Sequence, residues 1–409
     1  MSSEIQTDTA SPEGDPITEL TARAAELGAA HEAALSAEGL GEIEAFRAAH
    51  DAVRGAGLLS YAVPAAHGGA DAAPLAPADT VSVRALSALR RTLAYHHAML
   101  DLALVEQGLG SFPIALGSQE PELLEVLART ARGELIPALG LTEPGAGSDL
   151  AGVSTRAEPS RGPGGDGWRL TGGKTYITNV GVADYYCVLA RTDGEPGERG
   201  GLTMFYVPHG AAGLGTRAFQ VMAPHPIGEV LLDGVEVPAH HVLGDVGAGM
   251  DLALSNLARF RITVAAAACG FGRRALGESV RHLARREQFG RPLSSFQGLR
   301  FDLAEMDVRL RAAELLVDEA AARVDAGVDA TAEVARAKLF ATETASWVCD
   351  RAVQHHGGLG VRVGAVVERL YRDTRALRIY EGTSEVQKLV LAKDVLKRTP
   401  PPPGDGTYG

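Results

Sequence analysis

The hydrophobic period of this chain changes twice, and the two changes limit the folds open to it. From Thr18 to about residue 138 apolar residues recur at helical spacing, in Ala-rich stretches interrupted near Gly57, Gly117 and Gly133. Near Leu139 the period shortens. Runs at 166–170, 174–180, 183–190, 202–208 and 229–237 carry aromatic and β-branched residues and are separated by Gly, Asp and Pro, which is the pattern of short strands. From Met250 the helical period returns in long amphipathic stretches, 252–286, 295–326, 332–356, 365–377 and 384–397. Helices of that length in series pack as an antiparallel bundle. The expected fold is therefore α+β and multidomain. An N-terminal all-helical domain (18–138) is followed by a central β domain (139–247) and a C-terminal helical bundle (248–397). A disordered N-terminus (1–17) and a Pro-rich tail (398–409) flank them. Within the β domain, Leu170-Thr171-Gly172-Gly173-Lys174 is expected to be a hairpin with a Gly-Gly turn.

Composition removes several function classes. The net charge of −12 disfavours nucleic acid and anionic membrane as partners. No uninterrupted apolar run reaches the roughly 18 residues of a membrane span, so no membrane insertion is expected. Met1 to Pro16 is acidic and polar, unlike a signal peptide. The three cysteines, Cys187, Cys269 and Cys349, are far apart and odd in number. A disulfide framework is not expected, and the chain reads as cytoplasmic.

Five stretches carry groups suited to chemistry, each with a plainer structural explanation beside it. Leu141-Thr142-Glu143-Pro144-Gly145-Ala146-Gly147-Ser148-Asp149 lies where helices give way to strands. Its glycines let backbone approach a flat ligand, or simply turn the chain between domains. In Lys174-Thr175-Tyr176-Ile177-Thr178-Asn179, strand alternation puts Tyr176 and Thr178 on one face. An aromatic beside a hydroxyl suits a flavin, and equally a cross-strand pair. The cationic run Arg285-Arg286-Glu287-Gln288-Phe289-Gly290-Arg291 closes a helix. It favours the helix dipole, or clamps a diphosphate. Gln354-His355-His356-Gly357-Gly358 is a helix exit that serves as a glycine cap or receives a phosphate or an amide-bearing cofactor. Arg378-Ile379-Tyr380-Glu381-Gly382-Thr383-Ser384-Glu385 joins two helical patterns. Gly382 marks the break, and the S-x-x-Q spacing of Ser384 and Gln387 predicts a capped helix starting at Ser384. Glu381 sits on that joint. Read alone, a loop glutamate belongs in solvent; held by a tight joint, it can face a cavity. Gly270-Phe271-Gly272 lies inside a helical pattern and is no dinucleotide fingerprint. The adjacent pairs His96-His97, His240-His241 and His355-His356 should diverge, and His31-Glu32 lacks a second His, so no metal site is expected.

Together and in this order, these runs resemble the acyl-CoA dehydrogenase family, from about Thr18 to Lys397. The LTEPGAGSD and YEGTSE runs carry the resemblance. Val63-Pro64…Gly68-Gly69 and Arg261 also match. The resemblance implies a helical domain, a β domain and a C-terminal four-helix bundle, with FAD between the β domain and the bundle, Leu141 and Thr142 on the flavin pyrimidine side and Tyr176 and Thr178 on its other edge. Ser148 would face the acyl thioester, with Arg261, Tyr380 and Gly382 beside the substrate. Thr383 and Glu385 would lie near the adenosine and diphosphate, and Gly358 would also contact the cofactor. Arg286, Phe289 and Gln354 would reach the FAD of a neighbouring subunit, implying an obligate homo-oligomer, most often a dimer of dimers. Glu381 matches the family's catalytic base. It would remove the α-proton while the β-hydrogen leaves as hydride to the flavin, giving a 2-enoyl thioester, with an electron-transfer flavoprotein as electron acceptor. Some members carry the base beside Arg261, where Phe260 stands here. Leu139, Gly140 and Phe260 are candidate pocket residues. Lys393 replaces a common Arg, and Met222 to Gly228 lacks the Gly/Ser-rich pattern usual there. Four other readings stay open: the same reaction on a carrier-protein thioester, an acyl-CoA oxidase, a flavin monooxygenase (whose members usually lack the glutamate) and a flavin-free interaction protein. Thr142, Thr178, Arg286 and Gln354 argue against the last.

Overall fold

The computed structural model describes residues 15–37, 39–162 and 165–399. The expected Pro-rich tail lies outside them apart from 398 and 399, as does most of the expected disordered N-terminus. Six helices open the chain: α1 (Pro16–Leu35), α2 (Glu42–Gly55), α3 (Val83–His96), α4 (Ala98–Leu109), α5 (Phe112–Gly117) and α6 (Pro121–Ala131). Pro16 sits in the first turn of α1, and the Asp15 side chain accepts from Ile17 N, a cap at the chain's first described residue. The helical pattern expected between Gly57 and Gly117 divides at His97. Its backbone is extended, and its ring accepts from Met99 N, ending α3 and capping α4.

The central sheet has eight strands: β1 (Pro137–Gly140), β2 (Arg156–Gly162), β3 (Gly165–Thr178), β4 (Tyr185–Arg191), β5 (Leu202–Pro208), β6 (Leu214–Ala218), β7 (Ile227–Pro238) and β8 (Val242–Leu243). Their order is β6-β7-β3-β2-β4-β5-β8, with β1 parallel to β4. The Gly-Gly hairpin expected at 170–174 is not formed. Gly172 and Gly173 lie within β3, where the register with β7 shifts between Leu170 and Gly172. A side chain at Gly172 would meet Thr155 Cα at 2.8 Å, so the glycine permits a bulge against the neighbouring backbone rather than a turn. The hairpin is instead the β2–β3 pair, closed between Gly162 and Gly165.

The third region comprises α7 (Gly249–Arg285), the short hairpin β9 (Glu287–Gln288) and β10 (Arg291–Pro292), α8 (Gln297–Asp325), α9 (Thr331–His356), α10 (Val366–Arg375) and α11 (Ser384–Arg398). Helix α9 packs on α7, α8, α10 and α11, and α7 also packs along α3. The α7 stretch Val264-Ala265-Ala266-Ala267-Ala268-Cys269 is wholly buried, and its small side chains let helices approach on several sides. At Gly270 a Cβ would sit 2.1 Å from Arg91 O of α3. That glycine is a helix crossing, which accounts for the Gly-Phe-Gly run. The α8 end closes the same seam: Asp325 accepts from Val83 N (2.7 Å), Arg84 N (3.0 Å) and Ser82 Oγ (2.9 Å) at the start of α3. By windowed hydropathy, 98–117 and 249–285 are apolar enough to cross a membrane, although no uninterrupted run is. Both are largely buried in this core.

Candidate functional site

The joint after α10 is the most constrained backbone in the bundle. A 3₁₀ turn, Ala376–Arg378, ends the helical path. Glu381 then takes φ +52° and Gly382 φ +91°. The left-handed region costs a residue with a Cβ about 1–2 kcal/mol, so the surroundings must hold Glu381 there. They do so through its carbonyls. Arg261 Nε donates to Glu381 O (2.7 Å), while Lys338 Nζ (2.7 Å) and Gln387 Nε2 (3.0 Å) both donate to Gly382 O. Helix α11 starts at Ser384 as expected, but its cap is Thr383, whose Oγ1 accepts from Val386 N. Ser384 is already helical and donates instead to Glu343 (2.6 Å), and Gln387 turns back to the joint.

One oxygen of the carboxylate held this way is left without a partner. Glu381 Oε2 is shut from solvent and makes no hydrogen bond among the described residues. Among the described residues its backbone N–H makes no hydrogen bond either. Burial raises the Glu381 pKa, against the pull of Arg90, Arg261 and Lys338, and Asp101 raises it further. Beneath it lies a buried polar cluster. Arg90 grips Asp101 with two bonds (2.7 and 2.8 Å) and donates to Thr263 Oγ1 (2.7 Å). Glu106 of α4 is 7% exposed and has no ion pair or side-chain hydrogen bond among the described residues. Burial, then the Glu381 charge, pushes its pKa up to about 8.

A second set forms a ledge at the sheet. Thr175 N donates to Thr142 O (2.9 Å), tying the 141–149 run to β3. Glu143 locks that run from behind, accepting from Lys174 Nζ (2.7 Å), Ser154 N (2.8 Å), Ser154 Oγ (2.6 Å) and Thr155 N (3.0 Å). Tyr176 is 64% exposed and its ring meets Phe219 edge to face. Its φ is +56°, and the β3 register shifts between Lys174 and Ile177, so simple strand alternation fails here. Even so, Tyr176 and Thr178 stay on the open side while Ile177 is buried. The hydroxyls of Thr142, Ser148 and Thr178 have no partner among the described residues, and a Cβ at Gly145 or Gly147 would meet nothing. An open aromatic, free hydroxyls and approachable backbone fit a flat ring with polar edges, as in a flavin.

The profile "Acyl-CoA dehydrogenase, middle domain" matches residues 138–235, and "Acyl-CoA dehydrogenase, C-terminal domain" matches 247–396. The chain belongs to the acyl-CoA dehydrogenase family. It is 39% identical over 288 residues to a 3-(aryl)acrylate reductase of Clostridium sporogenes, covering 70% of this chain and 75% of that one. It is 36% identical over 297 residues to the caffeyl-CoA reductase-Etf complex subunit CarC of Acetobacterium woodii, covering 71% and 76%. The butyryl-CoA dehydrogenase structure of Megasphaera elsdenii superposes with a TM-score of 0.85 at 31% identity, over 94% of this chain and 99% of that one. The chain is thus an oxidoreductase acting on the CH–CH bond of acyl thioesters, in a family that binds FAD.

The other expected residues fall in two further places. Arg286 caps α7, Phe289 is 92% exposed in the β9–β10 turn, and Gln354 and Gly358 lie at the end of α9. Arg286 lines a cleft of about 390 Å³ with Glu278, Arg281, His282, Arg285 and His356. No hydrogen bond or ion pair links these four to the ledge. Thr383 uses its hydroxyl as the α11 cap, with Glu385 exposed beside it. Arg261, expected beside the substrate, stands behind the joint on the Glu381 carbonyl. Phe260 is fully buried between α7 and α4, edge to face with Phe112. The His240 and His241 rings meet at 4.8 Å and both approach Glu122 (3.2 and 3.7 Å), so in that 3₁₀ turn the adjacent side chains do not diverge. Arg90, Asp101, Glu106 and Lys338 escaped sequence reading. Their one signal was a charge on an otherwise apolar helix face, strongest for Asp101 and Glu106 in AMLDLALVEQGL.

Proposed function

We propose that Glu381 is the proton acceptor for the α-carbon of an acyl thioester lying between the joint and the ledge. The observation that carries this is the shut-off, unpartnered Oε2 of Glu381 on a left-handed joint fixed by three donors. The α-hydrogen of a thioester is a weak acid, so its base needs a desolvated carboxylate of raised pKa. The Glu381 N–H has no acceptor among the described residues and is suited to the thioester carbonyl as negative charge grows there. Ser148 offers a free hydroxyl that would face the same thioester. FAD, held by Leu141, Thr142, Tyr176 and Thr178, supplies the acceptor for the β-hydride when bound.

The same reading makes the enzyme a homo-oligomer, a tetramer by family resemblance. Arg286, Phe289 and Gln354 would then meet the FAD of a neighbouring subunit, while Gly358 would also contact the cofactor and Thr383 and Glu385 would lie near its adenosine and diphosphate. Exposed Phe289, Phe301, Val361 and Val363 support a covered face. An electron-transfer flavoprotein is the proposed electron partner, as the Etf complex of the CarC relative suggests. The substrate is an acyl-CoA or acyl-carrier-protein thioester, and the enzyme works in the cytoplasm.

Anaerobic mixing of the FAD-loaded protein with graded acyl-CoA and acyl-carrier-protein thioesters tests this, read at the flavin band of about 450 nm. At least one saturated thioester should bleach the band, and its enoyl product should recolour the reduced enzyme. Silence across both panels, in both directions, would remove the dehydrogenase reading.

A further inference from the structure

The joint also contains a buried cation with no carboxylate partner. Lys338 of α9 is 0% exposed. Its Nζ makes one hydrogen bond, to Gly382 O at 2.7 Å, and takes part in no ion pair among the described residues. Satisfying that carbonyl does not require a charge, because neutral Gln387 already donates to it at 3.0 Å. Removing an ammonium from water costs several kcal/mol unless charge or hydrogen bonding offsets it. An ammonium at this position therefore points to an electrostatic role.

The charges around Lys338 indicate what that role is. Glu381 is the anion acting on it most strongly. Arg261 opposes, and Glu343 and Glu385 contribute less. Burial holds the Lys338 pKa down at about 8 even so. From the other side, Glu381 faces Arg90 and Asp101 below it, Glu106 of α4, Arg261 of α7 and Lys338 of α9. The Arg90 charge is already matched by its bidentate Asp101. Arg261 and Lys338 remain, and their donor atoms hold consecutive carbonyls, those of Glu381 and Gly382.

We propose that Lys338 is a positioning residue for proton abstraction: its ammonium anchors the Gly382 carbonyl, and its charge keeps the Glu381 carboxylate ionised for the incoming α-proton. One group thereby fixes both the direction of the base and its protonation state. The inference rests on Glu381 being the base, and its test separates the two.

The test uses the FAD-loaded oligomer and a thioester that reduces it. Lys338→Met removes the charge and keeps the length; Lys338→Arg keeps the charge. Flavin content and melting temperature are recorded first, then the pH profile of single-turnover flavin reduction. Removing a neighbouring positive charge raises a carboxylate pKa. The acid limb of Lys338→Met should thus move to higher pH by about one unit or more, which is about tenfold in rate on that limb. Lys338→Arg should recover most of the shift. An FAD-loaded Lys338→Met with the wild-type profile overturns the proposal. So does an equal shift in Lys338→Met and Lys338→Arg, because geometry alone would then explain it. If Lys338→Met does not fold, Lys338→Met/Glu381→Gln decides. Loss of both charges should restore a folded, FAD-binding protein; failure of the double variant makes Lys338 purely structural and ends the proposal. Glu381→Gln alone, reducing at the wild-type rate, would instead sink the base assignment.

Discussion

Glu143 and Glu381 are two glutamates in two motif-bearing runs, both set in protein surroundings, and the fold treats them in opposite ways. Glu143 has four donors and no free acceptor direction. Burial alone would raise its pKa, but the Lys174 ammonium and the bonds from Ser154 and Thr155 hold it at about 2. Glu381 has one donor, Arg261, on its backbone carbonyl and none on Oε2, and burial wins. The first carboxylate is fully satisfied and shapes the ledge. The second is kept unsatisfied by a backbone that costs free energy to hold. A buried carboxylate with a complete set of partners is structural, and one held in place but left without partners is available for chemistry.

The largest effect expected from breaking this contrast is at Glu381. Glu381→Gln keeps the shape and removes the proposed base, so flavin reduction should fall by about 10²–10⁴-fold. FAD content and melting temperature should be unchanged or higher, because an unpartnered buried charge is gone. At Glu143 the loss should appear in stability. Glu143→Gln leaves the Lys174 ammonium buried without its partner, at a cost of about 3–5 kcal/mol in denaturant unfolding, and FAD should be lost with the ledge. Glu143→Leu/Lys174→Met should recover much of that stability.

Glu106 sharpens the contrast through pH. Its pKa is raised in the folded chain, to about 8, so its stabilising contribution is complete below the ordinary carboxylate range. That contribution is lost as the pH rises towards 8. Glu143 has the reverse sign: its contribution is present above the ordinary range and is lost as the pH falls towards 2. Glu106→Gln should therefore raise the melting temperature more at pH 8 than at pH 5. Thr383→Ala is the smallest change. Losing the α11 cap should cost about 1 kcal/mol and lower the melting temperature slightly with the flavin still reducible.

What the sequence shows and what it hides divide along local and non-local lines. The period changes near Leu139 and Met250 give helices, sheet and helices in the order found, and Gly382 gives the break that aims Glu381. Caps and bulges are less legible. Ser384 and Thr383 are both good caps one residue apart, and only the backbone angles choose Thr383. Gly172-Gly173 reads as a turn until Thr155 is known to lie against it. The hidden part of the site is set by contacts far apart in the chain. Lys174 lies 31 residues from Glu143, and Lys338 lies 44 from Gly382. Spacing along the chain says nothing about such pairs, so the sequence shows two similar glutamates where the fold gives one a full set of partners and leaves the other with an unpartnered oxygen.

The most direct test of that distinction is exchange at the thioester α-carbon in heavy water, followed by mass spectrometry under anaerobic conditions. If Glu381 takes the α-proton, the FAD-loaded wild type should wash deuterium into that carbon, and Glu381→Gln with the same FAD content should not. Exchange at the wild-type rate in Glu381→Gln would contradict the account.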